Sequence, residues 1–237
     1  MGTLKSQSIA TEPPLPKPQT PNPKPPDPKT FDNVIFDLGG VIINIRYENT
    51  LDAFSRLCGF DVRLLYTQHR QAPLFDQFET GQISADAFRH GLRQLLNINT
   101  ATDEAIDDAW NAMLLDIPRS RIDLLQVLRQ HKRIFLLSNT NRIHKAKFDA
   151  IFAAAHGDRI SDLADLFEQV YYSHLMGDRK PKPSIFQTVI ANHNLNPSRT
   201  LFIEDTRQHI EGAQQVGLQT FHLQPGCDIV DLNLATV

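Results

Sequence analysis

The stretch from Val34 to Ile43, VIFDLGGVII, is apolar throughout except for one carboxylate and two glycines. A run of this kind is stable as a strand covered on both faces, and the glycines mark a tight turn at its end. Three further short apolar runs follow, Arg133 to Leu137 (RIFLL), Gln169 to Ser173 (QVYYS) and Thr200 to Ile203 (TLFI), each leading into a helical pattern. A fifth, Gln219 to Leu223 (QTFHL), comes near the end. Strands alternating with helices imply an α/β fold, a doubly wound parallel sheet with helices on both faces.

The alternation is uneven in one place. About 100 residues separate Asp37 from Ser138, whereas one strand–helix–strand unit takes about 30. The excess reads as helices. Thr50 is expected to cap a segment presenting Leu51, Phe54, Leu57 and Cys58, stopped by Gly59. Ser84 is expected to cap a second, with Phe88, Leu92, Leu95 and Leu96 on one face, and Ile106, Ala109, Trp110, Met113 and Leu114 repeat the spacing. Residues 47–117 are therefore expected to form a small helical cap whose Trp110 and phenylalanines are packing residues, with residues 31–46 and 118–237 forming the core.

Residues 1–30 hold nine of the fifteen prolines, which removes backbone donors and favours an extended, disordered tail. Pro13 to Pro16 has the spacing of a proline-rich ligand, and Met1, Gly2 and Ser6 that of a myristoylation signal, but both patterns arise easily by chance. The two cysteines, Cys58 and Cys227, show neither pairing nor metal-ligand spacing, which suggests a reducing, cytoplasmic setting. A net charge of -3 without a basic block argues against nucleic acid. No apolar run is long enough for a membrane span. The expected partner is a small molecule.

Ligands of open α/β sheets bind at the carboxyl ends of the strands, and here the first four ends are polar: Asp37; Ser138, Asn139 and Thr140; Gly177 to Pro181; and Glu204, Asp205 and Thr206. Each set alone is ordinary capping or loop chemistry. Together they supply the parts of phosphoryl transfer. Asp37 is a candidate carboxylate nucleophile, with Gly39 and Gly40 letting main-chain N–H groups approach phosphate oxygens. A dianionic phosphate repels that carboxylate unless cations intervene. Lys180 offers a fixed positive charge, and a hard divalent ion offers another. Asp37, Asp205 and the carbonyl of Gly39 are its natural ligands, and Glu204 can hold a bound water. The Ser138 hydroxyl and Asn139 amide can donate to the transferring group.

These segments, FDLGGVI, LLSNT, GDRKPKPSIF and FIEDTRQHIEGA, resemble in order the four motifs of the haloacid dehalogenase superfamily, from residue 33 to about 223. The resemblance implies a magnesium-dependent hydrolase with Asp37 as nucleophile, Ser138 and Lys180 around the phosphate, Asp205 and Glu204 at magnesium, and a helical cap between the first two motifs. FDLGG, FETGQIS and LSNTNRIH resemble sugar-phosphate phosphatases of the α-D-glucose-1-phosphatase type, implying a small phosphorylated metabolite as substrate and an aspartyl-phosphate intermediate.

One position departs from that pattern. Phosphatases of this superfamily usually carry a second aspartate two residues after the nucleophile, as acid and base; here it is Gly39. Glu79, His144 or a metal-held water are the candidate substitutes, with Glu79 expected as a solvated loop residue and His144 on a helix surface. His209, where relatives often carry asparagine, is read as neutral. Two rival readings remain: a metal-independent hydrolase of haloacids, and a binding or regulatory member of the fold that turns over weakly.

Overall fold

A computed structural model describes residues 24–64 and 73–235. The proline-rich and myristoylation patterns lie outside the described residues. Most of the expected tail, residues 1–23, likewise lies outside them, while its last residues are ordered: Pro28–Thr30 form a 3-10 turn capped by Asp27, and the Lys132 ammonium donates to the carbonyls of Pro28 and Phe31.

The chain then enters β1 (Asn33–Phe36) and runs through α1 (Tyr47–Cys58), α2 (Pro73–Glu79), α3 (Ala85–Leu96) and α4 (Asp103–Asn111). It continues through α5 (Arg119–Leu128), β2 (Arg133–Ser138), α6 (Arg142–His156), β3 (Gln169–Tyr172) and the single turn α7 (Ser173–Met176). It closes with α8 (Pro183–His193), β4 (Thr200–Glu204), α9 (Arg207–Gln214) and β5 (Gln219–His222). The five strands are all parallel, in the order β3-β2-β1-β4-β5. Strand order therefore reverses at β1, which puts a crevice beside the residues that follow it.

Period-two alternation divides the strands between two cores. Val34, Phe36, Ile134, Leu136, Leu201 and Ile203 pack against α5 and α6 through Leu125, Phe148 and Phe152. Ile35, Phe135, Leu137 and Phe202 point the other way, against α8 and α9 through Ile185, Phe186, Val189 and Ala213. Burial on both faces is why these strands are apolar without interruption.

Helices α1 to α4 have their own core, in which Phe75, Phe78, Phe88 and Trp110 pack ring against ring, and Ile143 of α6 joins it from below the insertion. The chain enters and leaves this layer side by side: Ile45 and Leu114 bridge antiparallel, and Leu115 N–H donates to the Asn44 carbonyl. Gly59 ends α1 in the left-handed region and Ser84 caps α3, both as expected. Thr50 does not cap α1, which starts three residues earlier. Its hydroxyl instead donates to the Trp110 carbonyl and accepts from Met113 N–H, tying α1 to α4. Met113 and Leu114 lie past the end of α4. No helix among the described residues is long and apolar enough to cross a membrane.

Candidate active site

Asp37 directly follows β1, and its N–H donates to the Ile203 carbonyl on β4, so the ladder continues through it and fixes where its carboxyl emerges. Lys180 reaches the same point from the loop before α8 and is fully buried. Its ammonium donates to Asp37 Oδ1 and to Glu204 Oε2, each at 2.7 Å. Burial alone would strip the proton from a lysine, but the charges of Asp37 and Glu204 override it and hold its pKa above the ordinary value.

Glu204 has little capacity left. Besides Lys180, it meets His209 Nδ1 at 2.9 Å and accepts from the main-chain N–H of Asp205 and Thr206. Burial pushes its carboxyl up, yet the charges of Lys180 and His209 prevail and its pKa falls below the ordinary range. Its oxygens brace Lys180 more directly than they offer themselves to a water. His209, read as neutral from the sequence, is thus part of the charge network.

Oxygens of Asp37, Glu204 and Asp205 lie within 4.8 Å of one another. Three carboxylates against one lysine leave an excess of negative charge. Burial and the charge of Glu204 push Asp37 up to about 6, and burial with the charges of Asp37 and Glu204 pushes Asp205 up to about 8. A hard divalent cation on these oxygens relieves that repulsion, and an all-oxygen donor set suits magnesium. The residues present fit the ion.

Both glycines after Asp37 are constrained, for different reasons. Gly40 has φ of +73°, and a Cβ there would sit 2.1 Å from Asp205 Oδ2. Only glycine lets the turn come this close to the carboxylate. Gly39 has no positive φ, but a Cβ would meet Ile45 Cδ1 at 3.3 Å. The space an aspartate side chain would enter is bordered by an apolar one.

Ser138, at the end of β2, is 3% exposed, and Asn139 follows it. The Asn139 amide, expected to face the transferring group, holds the lysine loop: Nδ2 donates to the Lys180 carbonyl and Oδ1 accepts from Lys180 N–H. Ser138 and Asn139 share with Gly39 and His209 the wall of a cavity of about 160 Å³. Glu79, Trp110 and His144 close the cavity from the helical layer and α6.

Two expectations are overturned here. Glu79 is not a solvated loop residue: it ends α2, is 8% exposed and lies 3.1 Å from Arg179 Nη1. Burial pushes its carboxyl up against the opposing charge of Arg179. His144 is not on a helix surface: it is 7% exposed, stacked on Trp110, and burial drives its pKa down to about 3, so the ring is neutral. Both residues looked exposed because what buries them comes from distant segments. Arg179, which also donates to Asp76 on α2, is a further site residue that sequence reasoning passed over. Its one signal was adjacency to Lys180.

The sequence pattern of the haloacid dehalogenase-like hydrolases matches residues 31–217. A D-ribitol-5-phosphate phosphatase of Bacteroides thetaiotaomicron is 31% identical over 196 residues, spanning 83% of this chain and 93% of that one. A solved HAD family enzyme of B. thetaiotaomicron, in complex with magnesium and inorganic phosphate, superposes with a TM-score of 0.78 at 32% identity, over 86% of this chain and 98% of that one. A HAD-like family hydrolase from Porphyromonas gingivalis superposes at 0.76 with 29% identity, over 86% and 97% of the two chains.

Proposed function

The chain belongs to the haloacid dehalogenase-like hydrolases, and from that membership we propose a magnesium-dependent phosphatase that cleaves a small phosphate ester, a sugar phosphate or related metabolite, through an aspartyl-phosphate on Asp37. The observation that carries the reading is Lys180, fully buried and shared between Asp37 and Glu204 at 2.7 Å each, beside Asp205 at the crevice where strand order reverses. A buried lysine is costly unless its charge is used, and here it offsets the two carboxylates at the point where a phosphate would add more negative charge. The phosphatase activity named for the 31% identical relative supports the same reaction.

In this reading Lys180 on Oδ1 orients the Asp37 carboxyl, which attacks phosphorus as the bond to the leaving oxygen breaks, and that oxygen departs as an anion that takes its proton from solvent water. Water then cleaves the acyl phosphate, returning Asp37 and releasing inorganic phosphate. Asp37 and Asp205, with the Gly39 carbonyl, would hold magnesium, which supplies charge neutralisation for the phosphoryl oxygens. Ser138 and the main chain at Gly39 face the phosphate; the Gly40 N–H, expected to join them, is taken by the Ile43 carbonyl at 2.9 Å, and Asn139 keeps Lys180 in register. The cap at 47–117 covers the leaving group. Because Gly39 carries no acid, esters with good leaving groups are cleaved fastest. Two unpaired cysteines support a reducing, cytoplasmic setting.

Phosphate release from 4-nitrophenyl phosphate with and without magnesium tests the reading, alongside the same assay of Asp37→Asn. Activity that needs magnesium and disappears in the variant is expected. Undiminished release by the variant refutes the mechanism, and metal-independent chloride release from a 2-haloacid would favour the dehalogenase alternative.

A further inference from the structure

Two side chains in the cavity wall, Glu79 at the end of α2 and His144 on α6, have acceptor capacity left over. Glu79 Oε2 is buried and makes no aligned hydrogen bond, although Arg179 stands 3.1 Å away as its counter-charge. In His144, Nδ1 lies 2.9 Å from Asn111 Oδ1, and a carbonyl oxygen only accepts, so the ring proton sits on Nδ1. In the neutral ring Nε2 is then left as an acceptor, on a residue that lines the cavity. Stacking on Trp110 at 4.7 Å fixes the plane of that ring.

A buried carboxylate beside a phosphate site opposes binding unless a positive charge offsets it, which Arg179 does, and unless its remaining lone pairs find donors. His144 has no second proton to give, and Glu79 faces a guanidinium. Both are arranged to receive hydrogen bonds.

Resting on the phosphatase reading, we propose that Glu79 and His144 determine specificity by accepting hydrogen bonds from hydroxyl groups on the organic part of the ester. The substrate class is then a short polyhydroxylated monophosphate, preferred over an alkyl ester whose leaving group is equally poor. The cavity walled by Glu79 and His144 is small, about 160 Å³, which suits a short organic part. A site built to bond hydroxyls rejects an analogue lacking them strongly, because its own polar groups are then left unpaired.

The test uses the full chain with magnesium and three esters: a five-carbon open-chain polyol monophosphate, pentyl phosphate and 4-nitrophenyl phosphate. The parent is expected to prefer the polyol over the pentyl ester by about 10²-fold or more in kcat/KM. Glu79→Gln and His144→Phe, the latter keeping a ring against Trp110, are each expected to shrink that ratio about tenfold, mainly through KM for the polyol ester. Equal parental rates on polyol and pentyl esters overturn the inference without need of any variant. So do variants that slow both esters alike and leave the ratio intact. Should the parent cleave 4-nitrophenyl phosphate yet ignore the hydroxyls, only this inference falls; should it release phosphate from none of the three, the phosphatase reading falls and takes it along.

Discussion

Asn139 and Lys180 grip each other through two hydrogen bonds, Asn139 Nδ2 to the Lys180 carbonyl at 2.9 Å and Lys180 N–H to Asn139 Oδ1 at 3.0 Å. An amide that both gives to and takes from one residue's main chain fixes its orientation as well as its position. The loop carrying Lys180 is thereby fastened to the end of β2, and the ammonium stands between Asp37 and Glu204 without having to be recruited.

Asn139→Ala should therefore slow catalysis without removing any group that touches the ester. Losing two part-buried hydrogen bonds costs about 2 kcal/mol, expected as a drop of about 10- to 30-fold in kcat with KM little changed. Steady-state kinetics check it; Asn139→Asp, which restores only the acceptor, should recover part of the rate. An unchanged kcat in the alanine variant would show that the lysine loop holds itself.

The two adjacent glycines should respond differently. Gly40→Ala places a methyl where Asp205 Oδ2 already is, at a positive φ, so it should weaken magnesium binding at least tenfold, read by calorimetric titration. Gly39→Ala meets only the tip of Ile45, which can turn aside, and should retain the ion. Equal losses in both variants would mean that the turn tolerates no side chain at all.

His144 makes acid stability a test of burial. Its pKa is about 3 in the fold against an ordinary 6.5, so between those values the unfolded chain binds a proton that the folded chain does not. Stability owed to the neutral ring is complete above about pH 6.5 and is lost as pH falls toward 3, by at most about 1.4 kcal/mol per pH unit. Denaturant midpoints from pH 7 to 4 should fall less steeply for His144→Phe than for the parent. Parallel curves would place the acid sensitivity elsewhere.

Arg121 and Asp228 close the far end of the chain. The guanidinium, 6% exposed, donates through Nε and Nη2 to Asp228 and through Nη1 to the Ile42 carbonyl. Burial pushes the Asp228 carboxyl up, but hydrogen bonds from Arg121 and Val230 N–H outweigh it and hold its pKa below 3.8. This contribution is present above the ordinary carboxylate value and is lost as pH falls through the lower folded one. Asp228→Ala should cost about 2 kcal/mol at pH 7, and less at pH 3, where the parent has begun to lose the pair. Thermal melting at both values is the measurement.

Local pattern carried a good deal. Three runs became the central strands β1, β2 and β4 because a strand buried on both faces must be largely apolar, whereas the half-buried edge strands β3 and β5 admit Gln169, Gln219 and Thr220. The insertion was visible as surplus length, and Asp37, Ser138, Lys180, Glu204 and Asp205 could be singled out because each lies at or just beyond a strand's carboxyl end, where topology alone brings them together. Gly59 and Ser84 worked as helix stop and cap because capping involves only neighbouring residues.

What the chain order left open were contacts made across long separations. Glu79 and His144 have the local surroundings of exposed residues, and only packing against distant segments buries them, Glu79 beside Arg179 and His144 under Trp110 of α4. The role of Asn139 depends on a loop 41 residues away, and that of Thr50 on a helix 60 residues on. A polar side chain reads the same in sequence whether it meets water or a partner; desolvation, which turns it into a clamp, a neutral ring or a hungry acceptor, exists only once the layers have packed.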